Sequence, residues 1–253
     1  LMRRQNLGRD NRPRRWWKIR PSALDDITTA LSAQPLLRLT EVDGKLILKG
    51  MFGVKSEGQT VDSFPVRIHF PGNYPHGLPI VEVLGERIPT SPDRHINSDR
   101  SACLYVPEEW LAHRPDDRFL TFLRIPVRNF FLGQLYYETH KRFPPTGERQ
   151  HYGAGLIDAY SDILGVPAKI NEIHYWLRIL ASNRSKGHWK CPCGSGKIVR
   201  QCCRQLVFDK QQNTPVWLAK RMKREILKEL EHRRQKRTRR RVDDQKRDVR
   251  EAA

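Results

Sequence analysis

The apolar residues near the start of the chain recur at helical spacing. Leu24, Ile27 and Leu31 lie on one face of a helix, between Ser22, a candidate N-cap, and Pro35, a candidate stop. The sequence therefore predicts one short amphipathic helix in this part of the chain.

Beyond Pro35 the apolar period changes to two, which is typical of strands with one buried face. Four such segments follow one another: Leu37 to Glu41, Leu46 to Leu48, Val66 to Phe70 and Ile80 to Leu84. Asp43-Gly44 is a strong hairpin-turn signal, and Ser56-Glu57-Gly58 predicts a second turn. Because the connections are short, the strands are predicted to form an antiparallel meander.

Helical spacing returns in the second half of the chain. Three apolar stripes predict helices, one through Phe130 and Leu135 and two more over 149–164 and 168–180. Pro126 is expected in a first helical turn, because a proline inside a helix removes a hydrogen bond. A last helical pattern begins near Thr214-Pro215. One helix before the sheet and several after it predict an α+β fold, a β-meander with an N-terminal helix and C-terminal helices.

The charge of the chain narrows the range of partners. The 253 residues carry a formal net charge of +19, which favours acidic partners such as nucleic acid or an acidic protein face. No apolar run approaches the length that spans a bilayer, so we expect no membrane contact. Residues 1–20 are basic and lack the apolar core of a signal peptide, and the expected location is cytoplasmic.

Residues 1–20 form a predicted basic N-terminal arm that contains Trp16 and Trp17. Two interpretations are open. The arm is partly ordered, as charged termini commonly are, or the tryptophans pack on the domain while the arginines meet an anion.

The five cysteines divide into one isolated thiol and one cluster. Cys103 is the only cysteine ahead of Cys191, and it follows a polar loop and precedes Leu104. This setting suits a reactive thiolate at the surface better than a core cysteine. The other four lie between Cys191 and Cys203, at a spacing typical of a metal site in a reducing compartment.

The surroundings of Cys103 carry a set of family motifs. Phe70-Pro71-Gly72-Asn73-Tyr74-Pro75 is followed by Pro79, by the run from Ile96 to Leu104 and by Trp110. In this order, after a helix and a meander, the motifs resemble those of ubiquitin-conjugating (E2) enzymes, which have the UBC fold. Leu78 stands where that family has the first of two prolines. The resemblance covers about residues 21–145 and implies a UBC-like catalytic domain over 21–165.

The resemblance implies a chemistry for Cys103. A donor protein with a glycine-type C-terminal tail would be held on Cys103 as a thioester and transferred to an acceptor lysine. Eukaryotic members carry His-Pro-Asn upstream of the cysteine. Counting back from Cys103 places that asparagine at His95, which could donate a hydrogen bond to the oxyanion or accept a proton from the amine. A structural loop histidine is the alternative, and Asn97, two residues out of register, is a second candidate.

The cysteine cluster predicts a structural metal site. Cys191, Cys193, Cys202 and Cys203 would satisfy tetrahedral Zn²⁺ and leave no open position. Their pattern resembles the SEC-C motif, a small zinc-binding module that implies partner binding; four unrelated thiols are the alternative. We expect this module over 187–206, after a connecting helix and linker over 166–186. Since about 20 residues cannot bury a core, the metal is expected to supply the folding energy.

The predicted basic helical tail, over 207–253, includes a nearly uninterrupted cationic run from Arg233 to Arg241. Such a run neutralises several phosphates of a nucleic acid or meets another acidic partner. A solvated helix with a frayed end is the alternative.

Together the resemblances imply a bacterial E2-like conjugating enzyme. Bacterial proteins of this kind occur in antiphage operons, and in short type II CBASS operons the partner is the neighbouring CD-NTase. Two other functions stay open from the sequence: a non-catalytic UBC-fold binding module, and a nucleic-acid-binding or ribosome-binding adaptor that uses the zinc module and the tail.

Overall fold

The computed structural model describes residues 15–144, 153–182 and 187–251. The chain divides into two compact units, one formed by Leu1–Tyr105 with Pro115–Glu148 and the other by Val106–Arg114 with Arg149–Ala253. In chain order the helices and strands are α1 Trp16–Ile19, α2 Pro21–Leu31, β1 Leu37–Val42, β2 Lys45–Ser56, β3 Gln59–His69, β4 Ile80–Val83, α3 Pro107–His113, α4 Phe119–Phe122, α5 Arg128–His140, α6 Gly153–Leu164, α7 Ile170–Leu180, α8 Arg204–Asn213 and α9 Val216–Glu251.

The first unit contains a four-stranded antiparallel sheet in the order β1-β2-β3-β4. Asp43-Gly44 connects β1 to β2, and Glu57-Gly58 connects β2 to β3; all four residues have positive φ angles, between 49° and 83°. Two consecutive positive φ angles suit the right-handed twist of a tight hairpin, which is why glycine occupies the second position of each turn. The predicted meander and the α+β fold class are confirmed.

One face of the sheet carries the hydrophobic core of the first unit. Helix α5 supplies Phe131, whose ring stacks on Phe64 of β3 with centroids 4.6 Å apart and lies 5.6 Å from Phe52 of β2. All three rings are almost completely buried. Helix α2 adds Ile27, in agreement with the predicted stripe. Its first residue is Pro21 and its N-cap is Arg20, so the prediction that Ser22 caps the helix is wrong.

Pro126 does not begin a helix, as the sequence predicted. Helix α4 continues without a break through the π-helical segment Leu123–Val127 into α5, and Pro126 lies inside that segment. Proline has no backbone N–H and cannot donate the usual bond to the carbonyl four residues before it. A π-helical turn shifts the bonding pattern to residues five apart, so the helix can continue past the proline. The core therefore keeps one continuous helical run, although it contains a proline.

The tryptophans of the predicted N-terminal arm pack on the first unit, as one of the two interpretations of the arm expected, and residues 1–14 lie outside the described part of the chain. Trp16 and Trp17 belong to the core of the first unit. The Trp16 ring lies 4.7 Å from Tyr74 and 5.6 Å from Phe70, the two aromatic residues of the Phe-Pro-x-x-Tyr-Pro motif. The Arg20 guanidinium donates to the Tyr74 carbonyl at 3.0 Å. The free energy gained by burying two indole rings exceeds the cost of holding the neighbouring charged side chains close to the protein.

The second unit is helical, and it begins earlier than the predicted domain boundary at residue 165. Helix α6, predicted within the first domain, buries Ile157, Tyr160 and Leu164 in the core of the second unit. Helix α7, predicted as a connector, contributes its apolar face to the same core. The predicted tail is also part of this core, through four buried residues of α9, Leu218, Ala219, Met222 and Ile226.

A buried carboxylate holds three helices of the second unit together. Glu108 of α3 is 1% exposed. It accepts a hydrogen bond from the Tyr160 hydroxyl of α6 at 2.9 Å and another from the Arg221 guanidinium of α9. Burial, followed by the neighbouring Glu108 charge, raises the pKa of Tyr160, so this hydroxyl is the proton donor. A buried charge is tolerated only when it is paired in this way.

Helix α9 changes character along its 36 residues. Its first half packs on the core of the second unit, whereas every residue from Arg234 to Arg241 is exposed. Among the described residues, no helix combines the length and the apolar character that crossing a membrane requires.

The Glu108 network makes a stability prediction. Tyr160→Phe removes one hydrogen bond to a buried charge and should lower the free energy of unfolding of the second unit by about 1.5–3 kcal/mol. The matched control is Tyr175→Phe on α7, where the side chain is exposed, and we expect a change below about 0.5 kcal/mol. Urea unfolding followed by circular dichroism measures both. Equal effects of the two substitutions would show that the buried hydroxyl contributes no special stability.

Candidate thiol site and metal centre

Cys103 lies at the end of a short hairpin at the edge of the sheet. Ile96 pairs with Ala102, and the N–H of Cys103 donates to the carbonyl of His95 at 2.8 Å. Ser101 bridges to Glu82 of β4, and the N–H of Ala102 donates to the carbonyl of Val81 at 2.8 Å. The hairpin therefore extends the sheet beyond β4, and it places Cys103 and His95 directly across from each other.

Arg100 fixes this hairpin to the segment that follows β4. Its backbone is in the left-handed region, with φ of 67°. Its guanidinium lies against residues 83–90, which precede it in the sequence. The guanidinium donates to the Val83 and Ile88 carbonyls at 3.1 and 3.0 Å, to the Thr90 hydroxyl at 3.1 Å, and to the Gly85 carbonyl. One side chain thus satisfies acceptors spread over residues 83–90 and orders both segments together.

Cys103 is an exposed residue, as predicted, but its thiol is not activated in the structure. Protein atoms on its inner side raise the pKa of the thiol by desolvation. Desolvation disfavours the charged thiolate more than the neutral thiol. The thiol therefore stays protonated at neutral pH until a base or a bound partner takes its proton.

His95 occupies a strained backbone position next to Cys103. It follows the single helical turn Pro92–Arg94 and has φ of 51° and ψ of 36°. Its ring contacts the Phe143 ring, with centroids 4.9 Å apart. A non-glycine residue in this region is uncommon, and such residues cluster at functional sites. The structure thus brings His95, among the predicted site residues, opposite Cys103.

A buried glutamine anchors the turn that presents His95. Gln134 of α5 is completely buried; its amide donates to the Arg94 carbonyl at 2.9 Å and accepts from the Arg94 guanidinium at 2.9 Å. The same guanidinium lies 4.3 Å from the centre of the Tyr137 ring. No sequence pattern indicates this clamp, because its partners are 40 residues apart and neither belongs to a motif.

Asn97 lies on the other side of Ile96 from His95, toward the tip of the hairpin. Its side-chain amide donates to the Ser101 hydroxyl at 2.9 Å, and its N–H donates to the Ser101 carbonyl at 2.9 Å. The Ser101 hydroxyl in turn donates to Asp99. These contacts close the turn of the hairpin, so the structure gives Asn97 a part in shaping the site.

The four clustered cysteines come together as the spacing predicted. Their sulfur atoms all lie within 4.8 Å of one another. The Cys193 sulfur is 3.3 Å from that of Cys191 and 3.5 Å from that of Cys202, which is 3.7 Å from that of Cys203. Sulfur atoms at the corners of a tetrahedron with bonds of about 2.3 Å are about 3.8 Å apart. The cluster can therefore hold a metal ion, and its donor set is compatible with zinc.

The local backbone geometry brings the four thiols together. Gly194 and Gly196 have φ of 80° and 77°, and the Cys191 N–H donates to the Lys197 carbonyl at 2.8 Å. A side chain at either glycine would meet no neighbour, so the positive φ is the reason for glycine there. The Ser195 hydroxyl, followed by its backbone, lowers the pKa of Cys193 to about 6. Lowering this pKa favours the thiolate that binds a metal.

The cluster is less isolated than the sequence suggested. Val199, between the two cysteine pairs, is 3% exposed and belongs to the core of the second unit, and Trp189 and Cys203 pack against that core. The predicted contribution of the metal to the folding of this module is therefore joined by packing on the core of the second unit. Packing on α8 and its neighbours contributes as well.

No protein-family model, curated protein or solved structure matches this chain. Its described residues offer two distinct chemical capacities. The hairpin presents one exposed thiol, on a residue whose backbone N–H donates to the His95 carbonyl, and the cysteine cluster presents four sulfur ligands to one point.

The raised thiol pKa makes a prediction about reactivity. The alkylation rate of Cys103 by iodoacetamide should follow its thiolate fraction, so the rate should still be rising with pH beyond the ordinary cysteine pKa of about 8.5. Peptide mapping by mass spectrometry separates Cys103 from the clustered cysteines, and an unstructured peptide with one cysteine is the reference. A midpoint for Cys103 below that of the peptide would contradict desolvation of the thiol.

Proposed function

We propose that the first unit is a UBC-like conjugating domain in which Cys103 carries the C-terminal acyl group of a donor protein as a thioester. One observation carries this proposal: the hairpin that holds Cys103 pairs it directly with His95. Support also comes from the order of elements, with α2, a four-stranded meander, the Phe-Pro-x-x-Tyr-Pro segment and then the cysteine hairpin.

The proposed reaction has two steps, both acyl transfers. In the first, the Cys103 thiolate attacks the activated carbonyl of the donor, a carbon–sulfur bond forms and the activating group leaves with its electron pair. In the second, the amine of an acceptor lysine attacks the thioester, an amide bond forms, and the Cys103 thiolate leaves. The amine loses one proton in the second step, and a nearby base or water takes it.

His95 is the proposed helper in both steps. Each step passes through a tetrahedral intermediate with a negatively charged oxygen, and a donor beside Cys103 would stabilise that oxygen. A neutral imidazole could instead accept the proton of the amine. The contact with Phe143 restricts the ring on one side, which reduces the entropy lost when the intermediate forms. Asn97 is the weaker candidate, since its amide already donates to Ser101.

The four thiols of the second unit are proposed to hold one structural Zn²⁺. Four sulfur ligands fill the tetrahedral coordination shell, so this centre would support partner binding rather than catalysis. The proposed donor is a protein with a glycine-type C-terminal tail, and the proposed acceptor group is a lysine. The resemblance further suggests antiphage defence, with a CD-NTase as the protein acted on.

Substitution of the nucleophile tests the conjugation step. Cys103→Ser should trap the donor as an oxyester, because an ester reacts with amines more slowly than a thioester, and Cys103→Ala should give no adduct. Intact mass after incubation with an activated donor identifies each species. The wild-type adduct should be released by thiol reductant, whereas the serine adduct should resist it. An adduct that forms on Cys103→Ala would remove Cys103 from the mechanism, whereas no adduct on any variant, wild type included, would favour a non-catalytic binding module.

Elemental analysis tests the metal proposal. Protein purified without chelator should contain one zinc ion per chain, and Cys191→Ser with Cys202→Ser should abolish zinc binding. Because two ligands are lost, the second unit should also unfold at lower temperature. Cys103→Ser is the matched control and should retain the zinc. Absence of zinc from freshly prepared wild-type protein, even after zinc is supplied, would refute the proposal.

A further inference from the structure

The exposed part of α9 is an unusual feature of the second unit. Seven of the nine residues over 233–241 are arginine or lysine, and none is acidic. All of the residues from Arg234 to Arg241 are exposed, and they lie in an unbroken helix. No described residue of the core covers this segment, which we name the cationic segment.

The cationic segment is arranged differently from the rest of the helix. Earlier in α9, Arg224 and Lys228 pair with Glu225 on the same helix. Only the first two residues of the cationic segment meet carboxylates among the described ion pairs, Arg233 with Glu229 at 2.6 Å and Arg234 with Glu231 at 4.0 Å. Lys236 and Arg237 have only cationic residues or His232 at the positions three and four residues away on either side. Like charges at these spacings destabilise a helix by about 0.2–0.5 kcal/mol per pair. The phosphates of a bound polyanion would offset this repulsion through their attraction to each cation.

The angular distribution of charge points to the shape of that polyanion. At about 100° per residue, the seven cations cover an arc of about 220° around the helix. The remaining stripe carries Glu231, Gln235 and Thr238. A flat acidic protein surface would contact one side of such a helix and leave the cations on its flanks unused. A groove with phosphates along both walls would contact the whole arc.

We propose that the cationic segment binds duplex DNA by lying in the major groove. A helix with side chains is about 10–12 Å across, and the major groove of B-form DNA is about 12 Å wide. The nine residues extend about 14 Å, or about four base pairs, so the cations reach phosphates on both strands. The binding is expected to be independent of sequence, because phosphate contacts position a protein without reading bases.

Other nucleic acids fit the same segment less well. The major groove of A-form RNA is deep and too narrow for side chains to read. Proteins that hold single strands use aromatic side chains on which bases stack, and the sequence has none over 231–241. Among nucleic acids, duplex DNA is therefore the preferred ligand of the cationic segment.

Fluorescence anisotropy with a labelled 20-base-pair DNA tests the proposal on the full chain. The test variant replaces Lys236, Arg237, Arg239 and Arg240 with glutamine, which keeps the helical propensity. The matched control replaces four exposed lysines of the first unit with glutamine, Lys18, Lys45, Lys49 and Lys55. Both variants lower the net charge from +19 by the same amount, and circular dichroism checks that each is folded.

The wild-type affinity for DNA should fall about 10³-fold between 50 and 200 mM salt, and the test variant should lose most of its affinity while its salt slope shrinks by about three to four. The control should change affinity by less than about threefold. Equal losses in both variants would reduce the effect to net charge and overturn the proposal. Tighter binding to duplex RNA, single-stranded DNA or polyglutamate, or no binding to DNA at 50 mM salt, would overturn it as well.

Discussion

The Arg100 guanidinium is the interaction on which the candidate thiol site depends. It joins the hairpin of Cys103 to the segment after β4 through bonds to three carbonyls and one hydroxyl. Without this side chain, the carbonyls of the buried residues Val83 and Ile88 would lose their Arg100 partner, and an unsatisfied buried acceptor costs about 1–3 kcal/mol. Only the backbone bonds between the hairpin and β4, such as the one from Ala102 to Val81, would then hold the hairpin, and the pairing of Cys103 with His95 would be less firmly fixed. The hydrogen bonds of Arg100 thus help an exposed thiol to keep a defined neighbour.

The sheet of the first unit could be predicted because its signals are local. Each strand has an alternating pattern, and each tight turn needs a glycine with positive φ, which the sequence places after Asp43 and Glu57. The cysteine pattern was equally informative, since the geometry of four thiolates around one point limits their spacing in a short segment. In both cases the residues that interact are close together in the sequence.

Features that depend on distant residues could not be predicted. The clamp between Arg94 and Gln134 links residues 40 positions apart, and Glu108 meets Arg221 across 113 positions. The first-turn position predicted for Pro126 is wrong because the tertiary packing of Phe131 favours a continuous helix over the local preference of proline for the start of a helix. The sequence alone does not decide between the two interpretations of the arm that contains Trp16 and Trp17, because the aromatic residues that pack on Trp16, Phe70 and Tyr74, lie more than 50 residues away.

The second unit combines a packed half and an exposed half of one helix. Met222 and Ile226 are completely buried, so deletion of the whole of α9 would remove part of the core together with the charge. The cationic segment begins only after His232. Its separation from the packed half means that charge can be changed there without disturbing the Glu108 network or the cysteine cluster.

The proposed conjugation chemistry requires His95 to act beside Cys103, and a single-turnover measurement tests this most directly. Wild-type protein and variants are charged with a donor on Cys103, and release to free lysine is followed in time. We predict that His95→Ala slows release by about 10²-fold, as expected for loss of one oxyanion donor, while Asn97→Ala slows it much less. A larger effect of Asn97→Ala than of His95→Ala would contradict the account and make Asn97 the functional partner of Cys103.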